Sequence, residues 1–173
     1  MNADALFDAV QELIVLGSSL PATHVLPAYE SGVTPNETFA TLHLAQDHAL
    51  GYSEQRVTDT GGDETYQYRR ASYQISFYRR QAMNRAQRLL WWIFTPTCRY
   101  ESAQRSITLQ KPGALMSLPE PETSEYESRV MLELEVDYWY TETLPLVDVD
   151  VVDISVQTDD LAAEKIEVEK RTL

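Results

Sequence analysis

The residues with the most reactive chemistry in this 173-residue chain are three histidines, one cysteine and one Asp-Thr-Gly tripeptide. The tripeptide at residues 59–61 matches that of aspartic proteases, but a polar Gly-Asp-Glu run follows it where the catalytic motif has apolar strands. His43 and His48 lie five residues apart, which suits neither one helical face nor one strand face. Cys98 has no histidine near it in sequence. These residues predict a turn, hydrogen-bonded or surface histidines, and a buried thiol.

Carboxylates recur at alternate positions in two segments of the second half: Glu133, Glu135 and Asp137, then Asp148 and Asp150. Alternate residues share one face of a strand, so each set lies on one side of a sheet. Paired carboxylates can hydrolyse glycosidic bonds, but a solvated sheet face gives the same pattern. The chain has no glycine-rich phosphate loop and no nucleophile-elbow motif. We therefore expect no catalytic or metal site and no cofactor, and we expect interaction to be the function.

Hydrophobic periodicity predicts the elements that position these residues. Apolar residues three and four apart predict helices over residues 3–17 and 81–94, the second ended by Pro96. Two-residue alternation predicts strands over 38–44, 66–78, 107–109, 129–140 and 146–156. Prolines and polar residues predict loops over 18–36, 52–65 and 118–124.

The two longest predicted strands each have one apolar face. Ala71, Tyr73, Ile75 and Phe77 share a face in the first, and Val130, Leu132, Leu134 and Val136 share one in the second. Such strands, mixed with few helices, predict an α+β fold: a mixed, largely antiparallel β-sheet with one or two helices packed on one face. The length suits one domain over 1–173, with an N-terminal helix at 1–17, a sheet-and-helix core at 18–156 and a charged tail at 157–173.

The charge is strongly segregated along the chain. The net charge is −13, yet residues 56–111 hold ten of the 14 basic residues and four of the 27 acidic ones. The overall charge argues against binding duplex nucleic acid, because phosphate contacts need lysine and arginine. The segregation favours head-to-tail association of copies through a basic side of the second helix and an acidic face of a neighbour. The predicted subunit-interface residues are Arg79, Arg80, Arg85 and Arg88.

The composition limits the class of protein further. Hydrophobic residues make up 43% and charged residues 24%, which is typical of globular proteins. One cysteine excludes an internal disulfide, and no apolar run approaches the roughly 20 residues of a membrane span. The sequence therefore predicts a soluble protein of a reducing compartment, without a membrane partner.

Three segments resemble the phage neck or tail terminator proteins. Residues 36–42, Asn-Glu-Thr-Phe-Ala-Thr-Leu after a proline-rich lead-in, resemble the first strand of that family. Residues 73–78, Tyr-Gln-Ile-Ser-Phe-Tyr, followed by Ala82 and the run 86–90, resemble its strand-then-helix core. Residues 126–138, from Tyr-Glu-Ser-Arg into alternating Leu and Glu, resemble its long later strand. The resemblance touches most of the chain from residue 38 to 156.

The resemblance implies a structural virion protein rather than an enzyme. Such subunits form a ring, usually of six, that stops polymerisation of the tail tube and docks to the neck or head-completion proteins. The expected partners are further copies of the chain, the tail tube protein and a neck protein, with DNA passing through the ring without specific binding. The expected location is the virion tail and neck, and the host cytoplasm during assembly. The alternatives are another neck, head-closure or tail-completion protein of similar fold, and a small hydrolase using the acidic strands.

A ring around the DNA channel suggests a role for the alternating acids. A polyanion slides best past a wall that does not bind it, so Glu133, Glu135, Asp137, Asp148 and Asp150 are candidates to line the lumen. An ordinary outward, solvated sheet face is the competing interpretation.

Overall fold

Nine strands, three α-helices and a 3₁₀ turn make up the described part of the chain in the computed structural model, which describes residues 1–29, 35–57, 62–118, 120–122 and 125–145. In chain order they are α1 (Ala3–Ser18), the 3₁₀ turn (Ala22–His24), β1 (Val25–Pro27), β2 (Phe39–Ala49), β3 (Glu54–Val57), β4 (Gly62–Tyr78), α2 (Ala82–Ile93), α3 (Pro96–Gln104), β5 (Ile107–Leu109), β6 (Met116–Ser117), β7 (Glu120–Glu122), β8 (Glu125–Glu127) and β9 (Arg129–Pro145). The strand predicted over 146–156 and the tail predicted over 157–173 lie outside the described residues.

Strands β4 and β9 form the centre of the sheet. They pair antiparallel, residue for residue, from Gly62 opposite Pro145 to Tyr78 opposite Arg129. Strand β2 pairs antiparallel with the outer side of β4, and β1 pairs parallel with β2, while β5 lies on the other side of β9. Strand β3 also pairs with β4, β6 pairs with β9, and β7 and β8 form a separate ribbon. The sheet is thus mixed and largely antiparallel, and the predicted α+β class is confirmed.

One face of the sheet is apolar and lies under the helices. The register sets Phe77 opposite Val130 and Ile75 opposite Leu132, so the apolar faces predicted for the two strands coincide. The helices complete this core with buried residues at helical spacing: Leu6, Val10, Leu13 and Ile14 from α1, and Ala82, Ala86, Leu89 and Ile93 from α2. The opposite face carries no helix in the described part and is polar.

Gly17 brings α1 and α2 close together rather than ending α1. A Cβ atom at this position would lie 2.5 Å from Leu89 Cδ1 and 2.7 Å from Trp92 Cε3, so only glycine allows this approach. Helix α1 begins at Asn2, whose side-chain oxygen accepts from the Ala5 N–H at 2.9 Å. It ends one residue beyond the predicted stop, where Ser19 is left-handed at φ 54°.

Helix α3 is a third helix that the sequence analysis missed. Pro96 was expected to end the second helix, and it instead stands in the first turn of α3. Proline fits there because the first N–H groups of a helix have no intrahelical partner. Thr95 begins the helix, since its Oγ1 accepts from the Cys98 N–H at 3.2 Å. The sequence analysis therefore predicted two of the three helices, α1 and α2.

Several strands are longer than the segments of alternating apolar residues that predicted them. Strand β2 continues to Ala49 past a register shift between Leu44 and Gln46. The predicted loops at 52–65 and 118–124 contain β3, the start of β4 and β7. Where the sheet extends beyond the helices, both of its faces are largely polar. Backbone hydrogen bonds between strands hold these residues in place. The sequence there has no alternation of apolar and polar residues from which a strand could be predicted.

The register predicts opposite effects for adjacent residues of β9. Leu132→Ala removes a side chain that is fully buried under the helices, so we expect unfolding to become easier by about 2–5 kcal/mol. Glu133→Ala changes an exposed side chain, and we expect a change below about 0.5 kcal/mol. Urea denaturation of both variants measures the two values. Equal losses of stability in the two variants would contradict the register.

Candidate interaction surfaces

The four predicted interface arginines do not form one exposed row. Arg85 points to the end of α1, where its Nη1 donates to the carbonyl oxygens of Ser18 at 3.1 Å and Ser19 at 2.9 Å. These carbonyls end a helix, so the cation satisfies groups that the helix leaves without partners and opposes its negative end. Arg85 is therefore half-buried and binds within its own chain.

Arg79 forms the turn between β4 and α2. Its φ of 77° lies in the left-handed region that glycine favours, and its side chain is half-buried. Arg80 and Arg88 are exposed, as is Arg99 on α3. Arg80 and Arg88 of the predicted set are thus available to a partner, and so is Arg99, which the prediction did not include.

The acidic side chains of β9 divide into two kinds. Glu133 and Glu135 are exposed on the sheet face opposite the helices. Asp137 shares that face but is only 3% exposed, so the prediction was wrong to count it among open carboxylates. Asp148 and Asp150 lie outside the described residues.

Arg70 on the neighbouring strand explains the burial of Asp137. Its guanidinium donates to both carboxylate oxygens of Asp137, at 2.6 and 2.9 Å, and it also lies 3.4 Å from Glu135. Gln110 donates to the same carboxylate at 2.7 Å, and the Tyr68 hydroxyl lies 3.3 Å away. The hydrogen bond from Arg70 holds the pKa of Asp137 below its usual range. The register places Arg70 directly opposite Asp137. A correct pairing of β4 with β9 would therefore have been enough to predict this contact.

A second ion pair lies where the sheet extends past the helices. Arg69 Nε donates to the two carboxylate oxygens of Asp47 at 3.1 and 3.3 Å, and the Tyr138 hydroxyl donates to the same carboxylate at 3.0 Å. Burial, assisted by the bond to Asp47, raises the pKa of Tyr138 to about 12. Successive arginines of β4 thus bind carboxylates on opposite faces of the sheet and fix three strands relative to one another.

Three aromatic side chains are exposed around the corner between α2 and α3. Trp91 is 75% exposed, Phe94 55% and Tyr100 63%. Tyr73 is buried and Trp92 is half-buried, but Trp91 lies on the solvent side of α2, three residues after Arg88. Tryptophan, tyrosine and arginine together are typical of protein–protein interfaces.

A groove of about 490 Å³ lies beside this corner. Helix α3 and the end of α2 form one side of it, with Phe94 and Cys98, and strand β5 forms the other, with Ile107 and Leu109. Arg99 and Lys111 stand at its rim and are exposed. Among the described residues β9 is the one strand that pairs with β5, so the outer backbone edge of β5 faces this groove.

Two of the histidines considered for catalysis make contacts of their own. His24 Nδ1 is 3.1 Å from the Thr38 carbonyl oxygen, and the His43 ring contacts Tyr29 edge-on with centroids 5.0 Å apart. Burial raises the pKa of the Cys98 thiol, which disfavours the reactive thiolate. The Asp-Thr-Gly tripeptide at 59–61 falls outside the described residues. Within the described ranges, no three His, Cys, Asp or Glu side chains are grouped to hold a metal, and no helix is long and apolar enough to cross a membrane.

The subunit has a two-faced sheet, exposed aromatics beside arginines, and an open strand edge. These features are typical of a protein that acts by binding other proteins. The sequence from residue 4 to 160 matches a family described as phage neck terminator protein. The chain therefore belongs to the phage neck terminator family, which confirms the resemblance noted in the sequence. The description of the family places its members in the phage neck.

Among curated proteins, none matches the chain. Among solved structures, the chain is similar to the sheath/tube terminator of an extracellular contractile injection system, PVC, in its extended state, with a TM-score of 0.49 and 12% sequence identity. The similarity covers 94% of this chain and 66% of that one, so the chain spans just under two thirds of the length of that protein.

The ion pair of Asp137 predicts a defined pH dependence. The pKa of Asp137 is lowered by folding, so the pair stabilises the protein above the unfolded-state pKa of about 3.9 and less as pH falls below it. Asp137→Asn should therefore lower the denaturation midpoint at neutral pH, and the difference from wild type should shrink as pH falls below about 4. Denaturation curves at a series of pH values measure this difference.

Glu135→Gln is the matched control, because Glu135 lies on the same face near the same arginine and is exposed. We expect a much smaller midpoint change in this variant. A difference between Asp137→Asn and wild type that grows as pH falls would contradict the assignment.

Proposed function

We propose that the chain forms a closed ring, of six copies, at the head-proximal end of the tail tube. The ring stops tube growth and joins the tube to a neck or head-completion protein. It assembles in the host cytoplasm and stays in the virion at the junction of tail and neck. Membership of the phage neck terminator family over residues 4–160 is the observation that carries this proposal.

The surfaces of the subunit suit a contact between unlike faces, which is what a ring requires. Arg80 and Arg88 are exposed on the helix side, where an acidic face of the next copy can meet them. Such a contact sets the orientation and speeds association. Because the two arginines are exposed, the contact weakens as salt screens it.

The sheet face opposite the helices, with Glu133 and Glu135 exposed on it, is the candidate wall of the DNA channel. Among the described residues, the ion pair of Arg70 with Glu135 is the one that either Glu133 or Glu135 makes, and Asp137 already neutralises Arg70. DNA passing such a wall meets repulsion instead of binding, so the genome moves without specific contacts. Asp137 takes no part, because its carboxylate is buried and paired.

Two other functions are the alternatives to termination of the tail tube. Another neck protein, one that closes the head or completes the tail, shares the fold and the need for exposed interaction surfaces. A small hydrolase needs two carboxylates placed about a scissile bond, and Asp137 is held by Arg70 instead. The family favours the terminator.

Tail length tests the proposed function. Particles assembled without this chain should carry tubes of irregular and excessive length, whereas particles assembled with it should carry tubes of one length. Electron microscopy of tails measures both. Uniform tubes in the absence of the chain would contradict termination, and uniform tubes that fail to join heads would indicate a head-closure protein.

The same measurement tests the basic surface with a matched pair of variants. The double change Arg80→Glu and Arg88→Glu should weaken contacts between copies and lengthen the tubes, because it places like charges across the interface. Gln87→Glu adds an acid to an exposed position of the same helix without removing a cation. We expect tails of normal length with this control, and normal tails with the double variant would refute the pairing.

The channel wall is tested by genome delivery. Glu133→Lys with Glu135→Lys should leave particle assembly intact and slow DNA ejection several-fold, because lysines bind the passing phosphates. Replacement of both by glutamine gives the uncharged control, which should eject at close to the wild-type rate. Wild-type ejection by the lysine variant in particles of normal number would exclude these residues from the wall.

A further inference from the structure

The outer side of α2 presents hydrogen-bond donors to solvent. Arg88 and Trp91 lie one turn apart there, Arg80 precedes the helix, and all three side chains are exposed. Among the residues that the structure describes, none of these three side chains has a hydrogen-bond or ion-pair partner. Guanidinium and indole N–H groups donate and do not accept. This donor face of α2, formed by Arg80, Arg88 and Trp91, therefore suits a partner that presents oxygen acceptors.

Exposed aromatic rings adjoin the donor face. Trp91 is itself 75% exposed, and Phe94 and Tyr100 continue the aromatic surface from α2 onto α3. Aromatic side chains and arginine are enriched at protein–protein interfaces, and guanidinium groups bind carboxylates through strong, charge-assisted hydrogen bonds. We therefore expect a protein surface that carries carboxylates to cover the donor face.

Helix α1 presents such a surface on the same layer of the subunit. Asp4, Asp8 and Glu12 recur every four residues, so they form one acidic stripe, and all three are exposed. Ala5 beside them is exposed and small, which lets an aromatic ring approach the helix. Asp4 and Asp8 make no ion pair with any described residue, while Glu12 meets Arg105 at 2.9 Å and keeps 63% of its side chain exposed. Like charges at this spacing repel, so a cationic partner stabilises α1.

The acidic stripe lies away from the arginines of its own α2. The Met1 ammonium donates to the Trp139 carbonyl oxygen at 3.1 Å, so α1 begins beside the polar half of β9. Helix α2 meets the other end of α1, where Arg85 binds the carbonyl oxygens of residues 18 and 19 and Trp92 lies against Gly17. Nine residues, roughly 14 Å of helix, separate residue 8 from residue 17. The stripe and the donor face thus lie towards opposite ends of α1, an arrangement that favours contact between copies over contact within one chain.

We infer that the donor face of α2 in one copy docks on the acidic stripe of α1 in the next copy. This inference rests on the proposed ring and names the acidic surface that the basic side meets. Arg88 and Trp91 are one turn apart, as are Asp4 and Asp8, so two adjacent donors meet two adjacent carboxylates when the helices pack roughly 8–10 Å apart. A contact between two different surfaces repeats around a closed ring, and this one leaves the sheet face opposite the helices open to the channel.

An exchange of charges tests the contact in the full-length chain. Arg88→Glu and Asp8→Arg should each weaken association of copies tenfold or more, because each places like charges across the interface. The chain that carries both changes restores an opposite-charge pair and should recover most of the wild-type association. Sedimentation velocity at low ionic strength, over a range of concentrations, measures all three variants.

The matched control combines Arg88→Glu with Glu133→Arg, which makes the same change of charge on the opposite sheet face. This chain should associate as weakly as Arg88→Glu alone. Recovery with Glu133→Arg and none with Asp8→Arg would overturn the inference in favour of the sheet face. Wild-type association of the Asp8→Arg chain would reject the contact and leave the proposed ring intact. A wild-type chain that stays monomeric at every concentration and salt level would reject the ring and the contact together.

Disulfide trapping tests the same geometry without altering any charge. Ala5 adjoins the acidic stripe and Asn84 lies one turn before Arg88, and both are exposed and uncharged, while the single native cysteine, Cys98, is buried. Under mild oxidation, an equal mixture of Ala5→Cys and Asn84→Cys chains should give disulfide-linked pairs of one chain of each kind. Asn84→Cys mixed with Glu133→Cys is the control and should stay unlinked. Links in the control mixture and none in the first would overturn the inference.

Discussion

The pairing of β4 with β9 is the constraint on which the rest of the structure depends. Every residue of one strand has a partner in the other from Gly62 to Pro145, so a single register decides which side chains meet. A shift by one residue would turn the apolar face toward solvent and separate Arg70 from Asp137. The helices, the ion pairs and the exposed acids all take their positions from this one alignment.

The two halves of the paired strands β4 and β9 have different surroundings. The half nearer Tyr78 and Arg129 is covered by α1 and α2 on one face and forms the core. The other half extends past the helices, where polar contacts such as Arg69 with Asp47 hold the strands. A subunit built this way has a stable centre and a wide polar face, which fits a protein whose work is contact with neighbours.

The sequence predicted most of the core but little of the surface. Alternation along 66–78 and 129–140 and the 3.6-residue period of two helices identified the buried residues, because burial leaves a periodic apolar signal. Helix α3 was missed because it is short and its proline was interpreted as an ending. The role of Arg85 at the end of α1 and the burial of Asp137 depend on residues 66 and 67 positions away in sequence, and no local pattern encodes such pairings.

The most direct test of the central alignment is amide hydrogen exchange along β4 and β9. Residues 71–78 and 130–138 should exchange slowest in the chain, through global unfolding, because they pair with each other under the helix layer and β4 also pairs there with β2. Residues 64–69 and 139–143 should exchange faster, through local opening of the part beyond the helices. Equal protection along both strands, or slower exchange in the polar half, would contradict this account of the fold.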